Sequence, residues 1–339
     1  MDTVEMSAEL LHRARSGDRE AFAELVGPYR GELHLLCYRM LGSFQDAEDT
    51  LQEVLLAAWL GLAGFEERSS LRTWLHRITT NRCLNTLRSA GRRPQPAAAF
   101  PAPVPEPSAH NEVLWLQPYP DLLLDRLPDG KPGPEARYET AEAISLAFLT
   151  ALQLLPPNQR AVLLLRDVLG YRAAETAELL DLTESAVTSA LKRARATLDA
   201  TARGPERPGP VPGSPQEREL TERFVAAFTS HDIDALLALM TDDIWIRMPP
   251  MPFEYQGTEN VRGFFTAIEA HRRAICRLVP TRANGQPAWG EYALDRVTDK
   301  LHCVGMLVAR YSGDRVDELT HFEAGVAASF GLPRVLGDG

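Results

Sequence analysis

Apolar residues recur at helical spacing through the first 93 residues of the chain. Residues 7–41 contain two amphipathic patterns, a third begins after Ser43 and runs to residue 65, and a fourth covers residues 71–88. Side chains three and four positions apart share one face of a helix, so each pattern supplies an apolar face for packing. The sequence therefore predicts that residues 1–93 form an all-α helical bundle.

A second helical segment is predicted at residues 134–203. Residues 139–155 have the spacing of one helix, and the pair Pro156 and Pro157 opens another that runs to about Val168. A run of small and apolar residues follows, again at helical spacing. The sequence therefore predicts a second all-α module.

Residues 173–198 fit a helix-turn-helix. Asp181 takes the turn position where glycine is usual, and Thr183 is suited to cap the second helix. The apolar positions at which the helices would meet are Ala177, Leu180, Leu182, Val187 and Leu191. The opposite face of the second helix is small, polar and basic, and it comprises Ser185, Thr188, Ser189, Lys192 and Arg193. Such a face fits the major groove of DNA, and an ordinary amphipathic hairpin is the alternative.

The pattern changes in residues 216–335. A helical stretch at 217–240 is followed by alternating and β-branched segments that are typical of strands, with one more helical pattern at 260–273. The predicted strands are 243–248, 287–294, 300–310 and 315–324. Helices combined with mostly antiparallel strands indicate an α+β domain.

Proline marks the boundaries between these bodies. Residues 89–140 contain 11 of the 25 prolines, which disfavours helix interiors and is typical of linkers. We therefore predict domains at 1–93, 134–203 and 216–335, joined by linkers at 94–133 and 204–215. Within the first linker, residues 115–125 are unusually apolar (WLQPYPDLLLD). They are predicted either to anchor on one module or to dock between the modules and the C-terminal body.

Composition limits the possible partners. The formal net charge is -10, so any contact with DNA must come from local patches. The four cysteines are far apart and form no CxxC motif, as expected for reduced thiols in a cytoplasmic protein. No segment has the roughly 20 apolar residues that a membrane helix needs.

The helix at residues 71–88 combines apolar and cationic groups. Leu71, Trp74, Leu75 and Ile78 share one face, and Arg77, Asn81 and Arg88 follow a neighbouring stripe. Arginine neutralises phosphates, amides reach base edges, and an aromatic ring can stack on an unpaired base. The alternative is a solvated face beside a core tryptophan.

The preceding helix is acidic. Asp46, Glu48, Asp49 and Glu53 surround the apolar Leu51, Val54 and Leu55. This pattern predicts a protein-binding surface for a basic partner, or simply acidic residues that favour a helix N-terminus.

These motifs, in this order, resemble bacterial sigma-70 factors of the extracytoplasmic-function type with an added SnoaL-like C-terminal domain. DAEDTLQEV followed by SLRTWLHRITTNRCLN resembles sigma region 2, and residues 155–195 resemble region 4. The resemblance implies a multidomain fold: two all-α modules and an α+β SnoaL-like cone. It also implies a promoter-specificity subunit of RNA polymerase.

The resemblance further implies roles for individual residues. The surface that docks on the coiled coil of the polymerase β′ clamp would comprise Asp46, Asp49, Gln52 and Glu53. The melted minus-ten element would be held by the loop at 65–70 together with Arg72, Trp74, Arg77 and Asn81. The duplex minus-thirty-five element would be read by Ser185, Thr188, Ser189, Lys192 and Arg193.

The C-terminal body offers three candidate pocket residues, Asp232, His302 and His321. Asp232 is suited to cap a helix, and strand histidines are more often structural. With no acid–base pair at catalytic spacing, we expect neither enzyme activity, nor a cofactor, nor a metal. A small apolar ligand and regulation in cis are expected instead, and the sequence does not identify an anti-sigma factor. The alternatives are a helix-turn-helix regulator that acts without polymerase and a SnoaL-like enzyme tethered to DNA.

Overall fold

The computed structural model describes residues 3–89, 104–110, 115–126, 142–201, 207–271, 276–295 and 297–337. The chain divides into two compact units. Unit 1 comprises residues 1–93 and 123–202, and unit 2 comprises residues 94–122 and 203–339.

The N-terminal part of unit 1 is helical, as predicted, but its first segment forms three helices rather than two. The helices are α1 (Thr3–Arg15), α2 (Arg19–Val26), α3 (Arg30–Leu41), α4 (Phe44–Gly61) and α5 (Leu71–Ser89). Gly17, with φ +93°, ends the first pattern, and Asp18 caps α2 by accepting hydrogen bonds from two backbone amides. Ser43 caps α4 at the predicted position.

The packing of this bundle follows the apolar stripes. Leu33 of α3, Val54 of α4 and Leu75 of α5 are fully buried in one cluster. Residues that face away from this cluster on α4 and α5 remain exposed. The core therefore fixes which faces of these two helices are available for other contacts.

The second module of unit 1 contains the predicted helix-turn-helix. After the single turn α6 (Asp121–Leu124), the helices are α7 (Leu146–Gln153), α8 (Pro157–Leu163), α9 (Ala173–Leu180) and α10 (Glu184–Thr201). α8 continues as a π-helical turn to Val168, where the sequence predicted its end. The helix predicted at 139–155 begins only at Leu146, because Ser145 caps it after a 3-10 turn. Residues 139–141 of that prediction lie outside the described residues.

In the described part of unit 2, three helices pack on a mostly antiparallel sheet. The helices are α11 (Pro215–Thr229), α12 (Ile233–Ala238) and α13 (Thr258–His271). The strands are β1 (Ala109–His110), β2 (Met240–Arg247), β3 (Phe253–Gln256), β4 (Cys276–Ala283), β5 (Gln286–Asp295), β6 (Lys300–Ser312), β7 (Arg315–Glu323) and β8 (Val335–Leu336). Their order is β1-β3-β2-β7-β6-β5-β4, with β8 on β6, and β2 pairs with β7 in parallel.

The core of unit 2 lies between the helices and the sheet. Trp289 of β5 is 1% exposed and stacks on Phe224 of α11, with ring centroids 4.9 Å apart. β4 contains Pro280 and was not predicted from the sequence. β4 is at the end of the sheet, where a residue without an N–H group is tolerated.

The segment predicted as a Pro-rich linker with an apolar anchor at residues 115–125 is partly built into unit 2. β1 pairs antiparallel with β3, and the backbone amide of Ser108 donates to Glu254 O at 3.0 Å. Further along, Tyr119 is 1% exposed, and its amide donates to Asn284 Oδ1 at 2.8 Å. The amide of Asn284 returns a bond to Tyr119 O at 3.0 Å. Two points of residues 104–121 are therefore held by the sheet.

Candidate nucleic-acid interface

The second helix of the helix-turn-helix presents an exposed polar face. Asp181 adopts the left-handed conformation that the turn requires (φ +56°), and the hydroxyl of Thr183 accepts a hydrogen bond from Ala186 N at 3.2 Å. Val187, Ala190, Leu191 and Ala194 are buried behind α10. All five predicted contact residues are exposed: Ser185, Thr188, Ser189, Lys192 and Arg193. The exposure of this face is what the predicted contact with a major groove requires.

The exposed face of α4 is acidic along one stripe and apolar at its end. Asp49, Gln52 and Glu53 are exposed, and Asp46 is half-buried in the first turn. Further along α4, Leu56 is 59% exposed and Leu60 is 73% exposed. Leu56 lies one helical turn after Gln52, and Leu60 lies one turn after Leu56. These two leucines were not among the predicted contact residues. Their exposure extends the surface with an apolar patch, which suits a protein partner better than it suits solvent.

Two of the predicted minus-ten residues are exposed on α5. Arg77 and Asn81 are one turn apart and open to solvent. Trp74 is different, because it is half-buried, with its ring 5.0 Å from that of Phe65 and against the backbone of Gly61. These contacts place Trp74 at the base of the exposed loop at 66–70, and its contact with DNA stays a prediction.

Arg72, the fourth predicted residue, is bound within the bundle. Its guanidinium donates two hydrogen bonds to the Glu32 carboxylate, one of them from Nε at 3.0 Å. His76 Nε2 lies 3.4 Å from the same carboxylate, and His76 Nδ1 is 2.6 Å from the hydroxyl of Tyr171. Glu32, His76 and Tyr171 were not singled out from the sequence, because their partners are 40 to 95 residues away.

The charge state of this cluster follows from its contacts. Burial disfavours the ionised form of Glu32, but hydrogen bonds from His76 and Arg72 and the positive charge of Arg72 outweigh it and lower the carboxyl pKa to about 2. The bond to Glu32 also raises the pKa of Arg72. The carboxylate is therefore ionised at neutral pH and stabilises the bound guanidinium.

The three candidate pocket residues of unit 2 do not form one site. Asp232 caps α12 by accepting from Ala235 N at 2.9 Å, as expected, and borders a small, partly open cavity of about 20 Å³. His302 lies at the end of β6, with Nε2 3.1 Å from the Thr298 hydroxyl. Neither histidine lines the cavity around Asp232.

His321 has an acidic neighbour that the sequence analysis did not find. Its Nε2 atom is 3.5 Å from Oε2 of Glu291, whose side chain is 0% exposed. Gly305 lies directly under the imidazole, and a side chain at this position would collide with it. In the sequence, this buried carboxylate is indicated by a single glutamate within the otherwise apolar strand segment PAWGEYAL.

Among the residues that the structure describes, no group of three or more His, Cys, Asp or Glu side chains could hold a metal ion. In the same part of the chain, no helix combines the length and the apolar character needed to cross a membrane.

Three family models match the chain in the order expected. Sigma-70 region 2 matches residues 25–93, and Sigma-70, region 4 matches residues 145–198. A SnoaL-like domain matches residues 221–318. The two helical modules of unit 1 and the α+β body of unit 2 therefore correspond to these three regions.

Similar proteins support the same assignment. The chain is 40% identical over 330 residues to the ECF RNA polymerase sigma factor SigG of Mycobacterium tuberculosis, covering 94% of this chain and 85% of the relative. It is 35% identical over 191 residues to SigM of the same species, covering 56% and 82%. The crystal structure of the M. tuberculosis extracytoplasmic function sigma factor SigJ has the same fold, with a TM-score of 0.59, 20% identity and coverage of 92% and 99%. This chain belongs to the extracytoplasmic-function RNA polymerase sigma factors.

Proposed function

We propose that this chain binds core RNA polymerase through α4 and directs it to promoters through α5 and α10. The observation that carries the proposal is the separation of three exposed polar surfaces on one helical unit, each backed by buried apolar residues. The acidic and apolar stripe on α4 suits a basic protein surface such as the β′ clamp. The polar and basic stripes on α5 and α10 suit DNA.

The two DNA-facing stripes differ in a way that fits their proposed targets. α10 presents small hydroxyls beside Lys192 and Arg193, and such a face can approach base edges in a duplex. α5 presents Arg77 and Asn81 next to an exposed loop, and such a surface can hold unpaired bases. Binding of the separated strand offsets the stacking that is lost when the duplex opens, so strand opening needs no nucleotide hydrolysis.

The double variant Lys192→Ala/Arg193→Ala tests the role of α10. Each side chain is exposed and contributes to phosphate or base contact, so we expect promoter affinity to fall about 10- to 100-fold. The salt dependence of binding should also become shallower. Run-off transcription with core polymerase and filter binding at several salt concentrations measure both effects.

The matched control is Arg19→Ala/Arg223→Ala, which removes two exposed arginines outside the three surfaces. Its promoter affinity should stay within about twofold of that of the parent chain. Equal losses in the two double variants would show that only net charge matters and would contradict the assignment of α10.

We further propose that the SnoaL-like domain acts in cis and is not an enzyme. Supporting this, Asp232, His302 and His321 lie apart, whereas the region 2–region 4 connector is bonded to the domain at two points. At the second point, Gly285 N donates to Asp121 Oδ1 at 2.8 Å. With residues 104–121 held, 14 residues (90–103) remain on the side of α5 and 20 residues (122–141) on the side of the second module, which reach at most about 50 and 70 Å.

The variant Asp121→Ala/Asn284→Gly releases the connector at the β4–β5 turn and leaves the core of the domain in place. A longer free connector allows wider separation of the modules, so we expect severalfold higher transcription from promoters whose two elements are 1–2 base pairs further apart. Asp314→Ala, in the exposed β6–β7 turn, is the control. An unchanged spacing preference in the released variant would exclude this form of regulation in cis.

A further inference from the structure

Within unit 1, the two DNA-binding modules are packed against each other. α5 of region 2 contacts α8 and α9 of region 4, and α3 contacts α7 and α8. Side chains that cross this contact are buried: His76 of α5 is 0% exposed and Arg160 of α8 is 6% exposed. The contact is therefore a closed, well-packed arrangement of the helical modules.

Polar groups cross this contact at three places. The Tyr171 hydroxyl meets His76 Nδ1 at 2.6 Å, with the two rings in an edge-on arrangement. Arg160 Nη1 donates to Met40 O at 2.5 Å, and Arg39 Nε donates to Ala143 O at 3.0 Å. Buried hydrogen bonds are directional, so they fix one relative placement of the modules.

The Tyr171 contact is linked to the proposed DNA-binding surface. His76, which is 0% exposed, lies between Tyr171 and the Glu32 carboxylate, and this carboxylate holds Arg72. Burial raises the pKa of Tyr171 and keeps its hydroxyl protonated, so it can donate a hydrogen bond. Separation of the modules would expose Glu32 and His76 to water, which weakens the ion pair between Glu32 and Arg72.

In the closed arrangement, the two modules are too close together to bind both promoter elements at once. Elements at minus ten and minus thirty-five are about 25 base pairs apart, or about 85 Å at 3.4 Å per base pair. A compact unit of about 170 residues has a radius of gyration of about 16 Å and hence a diameter of about 40 Å. One module must therefore move away from the other before both elements can be bound.

We propose that the Tyr171–His76 contact, supported by Glu32, is a latch that keeps region 2 and region 4 closed and retains Arg72 until the modules separate. This inference rests on the proposed function, because a latch matters only if both modules bind one promoter. Release of the latch converts the closed unit into a form that spans the two elements.

The full-length variant Tyr171→Phe tests the latch, because it keeps the ring and removes the hydroxyl. We expect the ratio of open to closed chains to rise about tenfold, which corresponds to the loss of one buried hydrogen bond. Energy transfer between dyes at the exposed positions Glu24 and Asp199 measures this ratio in the free chain. At limiting concentration, formation of open promoter complexes should be 3- to 10-fold faster.

Tyr311→Phe is the matched control, because it removes a part-buried hydroxyl that contacts Thr221 within unit 2, at 3.0 Å. It should leave both readouts unchanged. Glu32→Gln removes the charge that orients His76, so it should also lower the energy transfer by favouring open chains. It is a second test of the contact if Tyr171→Phe does not fold. Unchanged energy transfer in the folded variants overturns the latch. If the parent chain does not support transcription with core polymerase, the proposed function is wrong. The energy transfer still measures whether the Tyr171–His76 contact holds the two modules together.

Discussion

Reversal of two charges on α4, in Asp49→Arg/Glu53→Arg, is expected to lower the affinity for core RNA polymerase by more than about 100-fold. Both carboxylates are exposed and one turn apart, next to the exposed Leu56. Against a basic partner, each reversal replaces an attraction with a repulsion, and like charges juxtaposed at an interface cost several kcal/mol. A hundredfold loss corresponds to about 2.7 kcal/mol, which two such sites readily exceed.

The experiment is a titration of labelled chain with purified core polymerase at two salt concentrations. Glu20→Arg/Glu24→Arg is the control, because these carboxylates have the same spacing and exposure on α2. The control should bind within about threefold of the parent chain, and the α4 variant should keep its thermal stability. Parent-like binding of the α4 variant would remove α4 from the polymerase interface.

The second large effect is expected from Arg247→Met in the sheet of unit 2. Arg247 is 13% exposed and contacts two carboxylates, Glu254 at 2.8 Å and Glu318 at 2.7 Å, which are 6% and 5% exposed. Burial alone would lower the pKa of Arg247, but the two carboxylates raise it. Removal of one partner from a buried ion pair costs about 3–5 kcal/mol, because the remaining charge is left uncompensated.

Chemical denaturation monitored by tryptophan fluorescence measures this loss as a lower midpoint for unit 2. Arg315→Met, at an arginine that is 50% exposed and 3.7 Å from Asp242, is the control and should cost less than about 1 kcal/mol. Addition of Glu254→Gln to Arg247→Met should restore part of the loss. An unchanged midpoint for Arg247→Met would show that Arg310, which lies 3.5 Å from Glu318, compensates fully.

The helical modules could be predicted from the sequence because their signals are local. Ser43, Asp181 and Thr183 mark helix ends by their own side chains, and the apolar stripe of α10 places its polar face in solvent. The proposed DNA and polymerase residues follow directly from those faces. They remain predictions at the level of single residues.

The remaining features depend on partners that are distant in sequence. Glu32 binds Arg72 from 40 residues away, and His76 and Tyr171 are separated by 95 residues, so periodicity gives no sign of either contact. β4 was missed because an edge strand tolerates Pro280. The pairing of β1 with β3 was not predicted either, because β3 follows more than 140 residues later in the chain.

The attachment of the connector also sets an order of events during synthesis. Asp121 bonds to Gly285, 164 residues further along the chain. At about 5–20 residues per second, the ribosome needs roughly 8–30 s to make that stretch. Both promoter-binding modules are thus complete before the turn that receives Tyr119 and Asp121 exists. A nascent sigma factor therefore passes through a period in which the SnoaL-like domain does not yet hold the connector, and this restraint is added last.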